Sequence, residues 1–126
     1  MEEKRKILIV EDEKPLLTIL HNKFESEGFL SLDAVNGKQG LKMALKEHPD
    51  VILLDILMPE MDGITMMQQL RKDEWGSKAN VILLTNVDPD TAIAKEMVET
   101  EPSYYFVKSN INIDSIVDKV KELLSK

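Results

Sequence analysis

The segment VILLDILMPEMDG, residues 51–63, joins a short apolar run to an acid and a stiff turn. A run of four apolar residues without polar alternation is typical of a strand that is covered on both faces. The run ends at Asp55. Pro59 then fixes one φ angle, and Gly63 allows a backbone conformation that other residues avoid. The segment therefore predicts a buried strand whose end presents a carboxylate in front of a shaped loop.

Two other apolar runs have the same character. They are ILIV, residues 7–10, and VILLT, residues 81–85, and both are rich in β-branched residues. Weaker strand patterns occur in FLSLDAV, residues 29–35, and in YYFVK, residues 104–108. The sequence therefore predicts five strands, of which three lie in the interior of a sheet.

Apolar side chains recur with helical spacing after each predicted strand. The five stripes are Leu16, Leu17, Leu20 and Phe24; Leu41, Ala44 and Leu45; Ile64, Met67 and Leu70; Ile93, Ala94, Met97 and Val98; and Ile113, Ile116, Val117, Val120, Leu123 and Leu124. Regular alternation of strand and helix predicts an α/β fold with a parallel sheet and right-handed crossovers. No composition shift suggests a linker, so we expect residues 1–126 to form one domain.

The composition excludes several classes of protein. The 126 residues carry a formal net charge of −7, which argues against a nucleic-acid surface and fits binding of cations or basic partners. There is no cysteine, which excludes disulfides, thiolate metal sites and a cysteine nucleophile. The N-terminal apolar run, residues 7–10, is too short for a signal peptide or a membrane span. We therefore expect a cytoplasmic protein without membrane contact.

Polar side chains stand where the predicted strands end. Glu11 and Asp12 follow the first strand, Asp55 follows the third, Thr85 ends the fourth and Lys108 ends the fifth. In open α/β sheets, sites form beyond the carboxyl ends of the strands, where the strand order reverses. If the first and third strands are neighbours, Glu11, Asp12 and Asp55 converge. Taken singly, the acids could only cap a helix, and Thr85 or Lys108 could only end a strand.

Three adjacent carboxylates need a compensating charge. Two like charges about 4 Å apart repel by roughly 4 kcal/mol at a surface-like dielectric. A Mg²⁺ ion offsets this repulsion and needs only one or two carboxylates besides water. With the ammonium of Lys108 and the hydroxyl of Thr85 nearby, the pattern predicts a site for a phosphoryl group, with Asp55 as a nucleophile.

The chain resembles the receiver domain of two-component response regulators over essentially its whole length. The resemblance rests on ILIVEDE, VILLDILMPEMDG, VILLT and YYFVK, which occur in this order at suitable spacing. It implies a flavodoxin-like, doubly wound, five-stranded parallel sheet in the order 2-1-3-4-5 with five helices. It also implies a signalling switch, not an enzyme acting on other substrates, that takes a phosphoryl group from a histidine kinase or a histidine phosphotransfer protein.

The resemblance assigns roles at the phosphorylation site. Asp55 would be the phosphoacceptor. Asp12, Asp55 and the backbone carbonyl of Leu57 would ligate Mg²⁺ directly, and Glu11 would hold the ion through water. Asp62, just before Gly63, is interpreted as a helix cap and not as a ligand.

The resemblance also implies a switch. Thr85 and Lys108 would bind phosphoryl oxygens, and Tyr105 would turn inward on activation. The face built from the fourth helix, fifth strand and fifth helix would then bind an unknown downstream protein. Because no effector domain follows Lys126 in this sequence, we expect output by protein binding or onward phosphotransfer.

Two positions depart from the family pattern. Ser109 follows Lys108 where the family usually has a proline in a cis bond, so we predict a trans bond or a rearranged loop. Asn86 follows Thr85 where a small residue is usual. These departures leave open a degenerate receiver that binds a partner without phosphorylation. A Mg²⁺-dependent aspartyl phosphatase is a further alternative, but such enzymes usually have an acid where this chain has Leu57.

Overall fold

The computed structural model describes residues 4–125, so residues 1–3 and 126 of the predicted domain lie outside the described part. Strands and helices alternate along the chain as the sequence predicted. The elements are β1 (Lys6–Val10), α1 (Lys14–Ser26), β2 (Leu30–Ala34), α2 (Gly37–Glu47), β3 (Val51–Leu54), α3 (Gly63–Lys72), β4 (Val81–Thr85), α4 (Ala92–Val98), β5 (Tyr104–Val107) and α5 (Ile113–Leu124), with 3₁₀ turns at Gly76–Lys78 and Lys108–Asn110.

All five strands pair in parallel in one sheet, in the order β2-β1-β3-β4-β5. The predicted flavodoxin-like topology is therefore confirmed. β1 and β3 are neighbours, and Val10 is paired with Leu54 at the ends of both strands. This register places Glu11 and Asp55, the next residue of each strand, side by side at the carboxyl edge of the sheet.

The central strands are buried on both faces because alternate residues point into two separate cores. On one face, Ile7, Ile9, Leu53 and Ile82 pack with α1 and α5. On the other face, the intervening strand residues pack with α2, α3 and α4. Burying one such aliphatic side chain contributes about 1.5–3 kcal/mol, so the two cores fix the register of the strands on which the site depends.

For three members of the helical stripes the prediction is wrong, because their side chains are exposed in the structure. Leu45 is 38% exposed, Ile93 is 43% exposed and Val98 is 55% exposed. In α2 the small Ala44 faces the sheet, and Leu45 lies about 100° further round the helix. α4 has only seven residues and buries Ala94 and Met97, which leaves Ile93 and Val98 on either side of a narrow contact.

Side-chain caps define where four helices begin. Asn36, Asp62, Thr91 and Asn112 each accept a hydrogen bond from a backbone N–H in the first turn of α2, α3, α4 and α5, respectively. The interpretation of Asp62 as a cap is confirmed, because its Oδ1 accepts from the Thr65 N–H at 2.8 Å.

The ends of the weaker strands differ slightly from the predicted ranges. β2 covers residues 30–34 and not 29–35, and β5 ends at Val107, so Lys108 begins a turn. Among residues 4–125 every peptide bond is trans, which confirms the predicted trans bond between Lys108 and Ser109. None of the helices in this part of the chain has the length and apolar character needed to cross a bilayer.

Candidate phosphorylation site

Three carboxylates meet where β1 and β3 end. Oxygen atoms of Glu11, Asp12 and Asp55 all lie within 4.8 Å of one another. Glu11 and Asp55 are buried, at 2% and 6% exposure, whereas Asp12 is exposed at the rim. A compact set of carboxylate oxygens, open to water on one side, is the kind of donor set that Mg²⁺ binds.

Lys108 joins two of these acids across the sheet. Its Nζ lies 2.8 Å from Glu11 Oε1 and 2.9 Å from Asp55 Oδ2, and its side chain is 7% exposed. Burial lowers the pKa of Lys108, but its hydrogen bonds to Glu11 and Asp55 outweigh this effect and raise that pKa above the usual lysine value. The ammonium therefore stays charged and offsets the repulsion between the two buried carboxylates.

Glu13 completes the charged cluster, and sequence reasoning gave it no role. Its Oε2 lies 3.5 Å from Lys108 Nζ, and its backbone N–H donates to Glu11 Oε2 at 3.0 Å. Burial raises the pKa of Glu11, against the lowering effect of its hydrogen bonds with Lys108 and with the Glu13 N–H. The signal for Glu13 was its place in the acidic triplet, but no periodicity shows which of three consecutive acids reaches Lys108.

The β3–α3 loop, residues 55–62, turns back on itself. The Asp55 N–H donates to the Val10 carbonyl at 3.2 Å, and the Gly63 N–H donates to the Ile56 carbonyl at 2.7 Å. A Cβ on Gly63 would lie 2.4 Å from the Asp55 carbonyl oxygen, so only glycine fits this close approach. Leu57 follows within the loop, and its N–H points to Asp55 Oδ1 at 3.4 Å.

Thr85 and Tyr105 are linked through Val87. The buried Thr85 Oγ1 accepts a hydrogen bond from the Val87 N–H at 3.3 Å, and the Tyr105 hydroxyl donates to the Val87 carbonyl at 2.6 Å. The Tyr105 ring points inward, and burial, followed by the charges of Asp88 and Asp55, raises the pKa of its phenol. One residue of the β4–α4 loop therefore contacts both predicted switch side chains.

The two positions that depart from the family pattern line one cleft together with Lys108. Asn86 and Ser109 both line a cleft of about 630 Å³ between α1 and the turn after β5, with Glu13 and Lys108. The turn Lys108–Asn110 closes with a hydrogen bond from the Ile111 N–H to the Lys108 carbonyl at 3.1 Å. Lys108 therefore reaches Asp55 from a single 3₁₀ turn with a trans peptide bond.

Comparison with known sequences places these features in one family. The family model of the response regulator receiver domain matches residues 7–121. Sporulation initiation phosphotransferase F of Bacillus subtilis is 34% identical over 119 residues, which cover 94% of this chain and 93% of that protein. The alkaline phosphatase synthesis transcriptional regulatory protein PhoP of B. subtilis is 40% identical over 70 residues, but the match spans only 29% of its length.

Solved structures show the same fold. The receiver domain of the Francisella response regulator 1452 superposes with a TM-score of 0.83 at 30% identity, covering 95% of this chain and 96% of that one. The receiver domain of the sensor histidine kinase PA1611 from Pseudomonas aeruginosa, described with a magnesium ion in its active site cleft, gives 0.89 at 21% identity, covering 98% and 100%. By fold, by its strand-end motifs and by these matches, the chain belongs to the receiver domain family of two-component response regulators.

Proposed function

We propose that this receiver domain is a phosphorylation-dependent switch in which Asp55 accepts a phosphoryl group from a phosphohistidine. The donor would be a histidine kinase or a histidine phosphotransfer protein. The observation that carries this proposal is the position of Asp55 at the end of a buried strand, with Lys108 Nζ 2.9 Å from its Oδ2 and two further acids beside it.

The acidic cluster fits a resident Mg²⁺ ion. Its three carboxylates supply hard oxygen ligands within 4.8 Å of one another. Asp12, Asp55 and the backbone carbonyl of Leu57 would hold the ion directly, and Glu11 would hold it through water. When bound, the ion offsets the repulsion among the acids and stabilises negative charge that develops on the phosphoryl oxygens. The magnesium described for the PA1611 receiver supports this assignment.

The chemical step needs a nucleophile and an acceptor for the leaving electron pair. A carboxylate oxygen of Asp55 forms a bond to phosphorus while the phosphorus–nitrogen bond of the donor breaks. The electron pair returns to the imidazole nitrogen of the donor, which takes a proton from solvent. After the transfer, the negative charge lies on the phosphoryl oxygens attached to Asp55. The Lys108 ammonium pairs with one of these oxygens and offsets part of that charge.

The link through Val87 explains how phosphorylation would reach a distant face. The Thr85 hydroxyl can donate its proton to a phosphoryl oxygen and still accept from the Val87 N–H. Val87 then presents its carbonyl to Tyr105, which favours the inward ring. Phosphorylation shifts this equilibrium only as far as it binds one arrangement better than the other.

Output would come from the face built from α4, β5 and α5. Ile93, Val98 and Tyr104 are large apolar side chains exposed on or beside this face. Their exposure fits a surface that a downstream protein covers.

A degenerate receiver is the second candidate. Asn86 and Ser109 both line the cleft beside Lys108, where they can hinder a donor. Against this, the turn at Ser109 still delivers Lys108 to Asp55. A phosphatase is less well supported, because such enzymes usually have an acid two residues after the nucleophile. Here that position holds Leu57, which is 58% exposed.

One experiment separates the three functions. The protein is incubated with Mg²⁺ and acetyl phosphate or phosphoramidate, and its intact mass is measured. A gain of one phosphoryl group, absent in Asp55→Asn, is the expected result. Turnover of many phosphomonoester molecules would favour the phosphatase, and an unchanged mass with every donor would favour the degenerate receiver.

A further inference from the structure

The β3–α3 loop holds two consecutive residues in the left-handed region of backbone space. Glu60 has a φ of 45° and Met61 has a φ of 84°. Neither is glycine, and such a conformation costs a non-glycine residue about 1–3 kcal/mol. It persists only where surrounding contacts over-determine it, so contacts from outside the loop are needed to hold this pair.

The first turn of α2 supplies those contacts. The Gly37 N–H donates to the Met61 carbonyl at 3.1 Å, and the Lys38 N–H donates to the Glu60 carbonyl at 3.2 Å. The first N–H groups of a helix have no partner within the helix and lie at the positive end of its dipole. The two loop carbonyls satisfy these groups, and α2 in return fixes both left-handed residues.

The identities of two residues suit this contact. A Cβ on Gly37 would lie 2.1 Å from the Met61 carbonyl oxygen, so any other residue would push the loop backbone away. Asn36, which is buried, caps α2 through Oδ1 and the Gln39 N–H at 2.8 Å. Its Nδ2 also donates to Glu60 Oε2 at 3.4 Å. Asn36 therefore connects the start of α2 to the loop through both ends of its amide.

We propose that the first turn of α2 positions the β3–α3 loop for cation binding, with Asn36 and Gly37 as positioning residues. Neither residue belongs to the metal or phosphoryl site. A shift at Glu60 and Met61 alters the path of the short segment that leads from Leu57, whose carbonyl would ligate the proposed ion. The inference rests on the metal role given to Leu57 and Asp55 above, but not on phosphorylation of Asp55.

Calorimetric titration with Mg²⁺ alone tests this role directly. We expect Gly37→Ala to weaken Mg²⁺ affinity about tenfold, the loss that follows when two backbone hydrogen bonds are broken. Asn36→Ala should weaken it about threefold. Asn36→Ser keeps an oxygen that can cap the helix and should recover part of that loss. In the wild type, the backbone amide signals of Gly37 and Lys38 in NMR spectra should shift during the titration.

Gly28→Ala is the matched control. Gly28 has a φ of 92° and open space around it, in the turn between α1 and β2. The same substitution there costs stability through its backbone conformation, yet it should leave Mg²⁺ affinity within about twofold of the wild type. Circular dichroism of each variant establishes that it is folded.

Two results would overturn the inference. One is a folded Gly37→Ala with wild-type Mg²⁺ affinity, and the other is a wild-type protein that binds no Mg²⁺. If Gly37→Ala does not fold, Asn36→Ala decides by the same criterion. A wild type that binds Mg²⁺ but takes no phosphoryl group from any donor would refute the proposed function and leave the positioning role standing.

Discussion

Lys108 is the residue on which the charge balance of the site depends. Its ammonium contacts both oxygens of Glu11 and one oxygen of Asp55, and all three side chains are less than a tenth exposed. Removing one partner of a buried ion pair is costly, because the remaining charge loses water and partner together. Here the loss would leave two acids facing each other, with exposed Asp12 beside them.

Replacing Lys108 by methionine tests this balance. We expect Lys108→Met to lower the free energy of unfolding without Mg²⁺ by about 3 kcal/mol, the lower end of the range for a broken buried pair. Mg²⁺ should then stabilise the variant more than the wild type, because the ion takes over the role of the ammonium. Urea unfolding with and without Mg²⁺ measures both effects. Lys121→Met, at an exposed ion pair, should cost much less stability than Lys108→Met. If Mg²⁺ stabilises Lys108→Met and the wild type equally, this account is contradicted.

Tyr105 offers a titration that reports its inward position. Burial, with Asp88 and Asp55 nearby, raises the phenol pKa above its ordinary value of 10.0. The folded state therefore binds this proton more tightly than the unfolded state does. The corresponding stability is complete below about pH 10 and is lost as the pH rises through the raised pKa. Absorbance titration of the wild type minus Tyr105→Phe should show phenolate forming above pH 10. Tyr104→Phe should retain this phenolate signal above pH 10. If the signal disappears in Tyr104→Phe, it belongs to Tyr104 and the prediction for Tyr105 is wrong.

At the scale of elements, Arg71 joins three segments near the amino ends of β4 and β5. Its Nε donates to the Thr100 carbonyl at 2.9 Å, and Nη1 donates to the Gly76 and Ala79 carbonyls at 2.8 Å each. Nη2 donates to the Glu101 carbonyl at 2.9 Å. Burial lowers the pKa of Arg71, although the charge of Glu101 acts in the opposite direction. One guanidinium thus ties α3 to the 3₁₀ turn before β4 and to the connection between α4 and β5.

Truncating Arg71 should loosen this connection. We expect Arg71→Met to lower the free energy of unfolding by about 2–4 kcal/mol, because four backbone carbonyls lose a charged donor. Arg71→Lys should recover only part of this, since a single ammonium cannot reach all four. The exposed neighbour gives a control: Lys72→Met should change stability by less than about 0.5 kcal/mol. Urea midpoints of the three variants give the comparison. If Arg71→Met is as stable as Lys72→Met, the hydrogen bonds of Arg71 do not stabilise the fold.

The elements themselves were readable because the central strands are apolar on both faces. Val51–Leu54 and Val81–Thr85 have the predicted bounds, since a run without alternation fits only a covered strand. The helices were less readable, as Leu45 and Val98 show. An apolar residue at the edge of a stripe faces inward only if a neighbouring element covers it. That depends on packing between elements, which periodicity within one helix does not contain.

At the scale of the whole molecule, the sequence predicted that the side chains of the site converge, but it did not predict the long-range contacts of the loops. The positions of Glu11, Asp55 and Lys108 follow from strand ends in one parallel sheet. The contact between Asn36 and Glu60 spans 24 residues, and that between Arg71 and Thr100 spans 29. Neither has a sequence signal beyond its local role as a cap or as a surface residue of a helix. Such contacts depend on how loops approach neighbouring helices, and only the folded structure provides that.

A net charge of −7 means that any cation can screen repulsion across this molecule, so specific binding must be separated from screening. A ligand that binds only the folded state stabilises it by about 2.7 kcal/mol at roughly 100 times its Kd. We therefore expect saturating Mg²⁺ to raise the thermal midpoint by several degrees, and NaCl of equal ionic strength to raise it much less. Asp12→Asn should lose the Mg²⁺ effect, whereas Asp118→Asn, at another exposed acid, should keep it. If NaCl matches Mg²⁺, or if Asp12→Asn responds like the wild type, the stabilisation comes from general screening and not from a site at the carboxyl edge of the sheet.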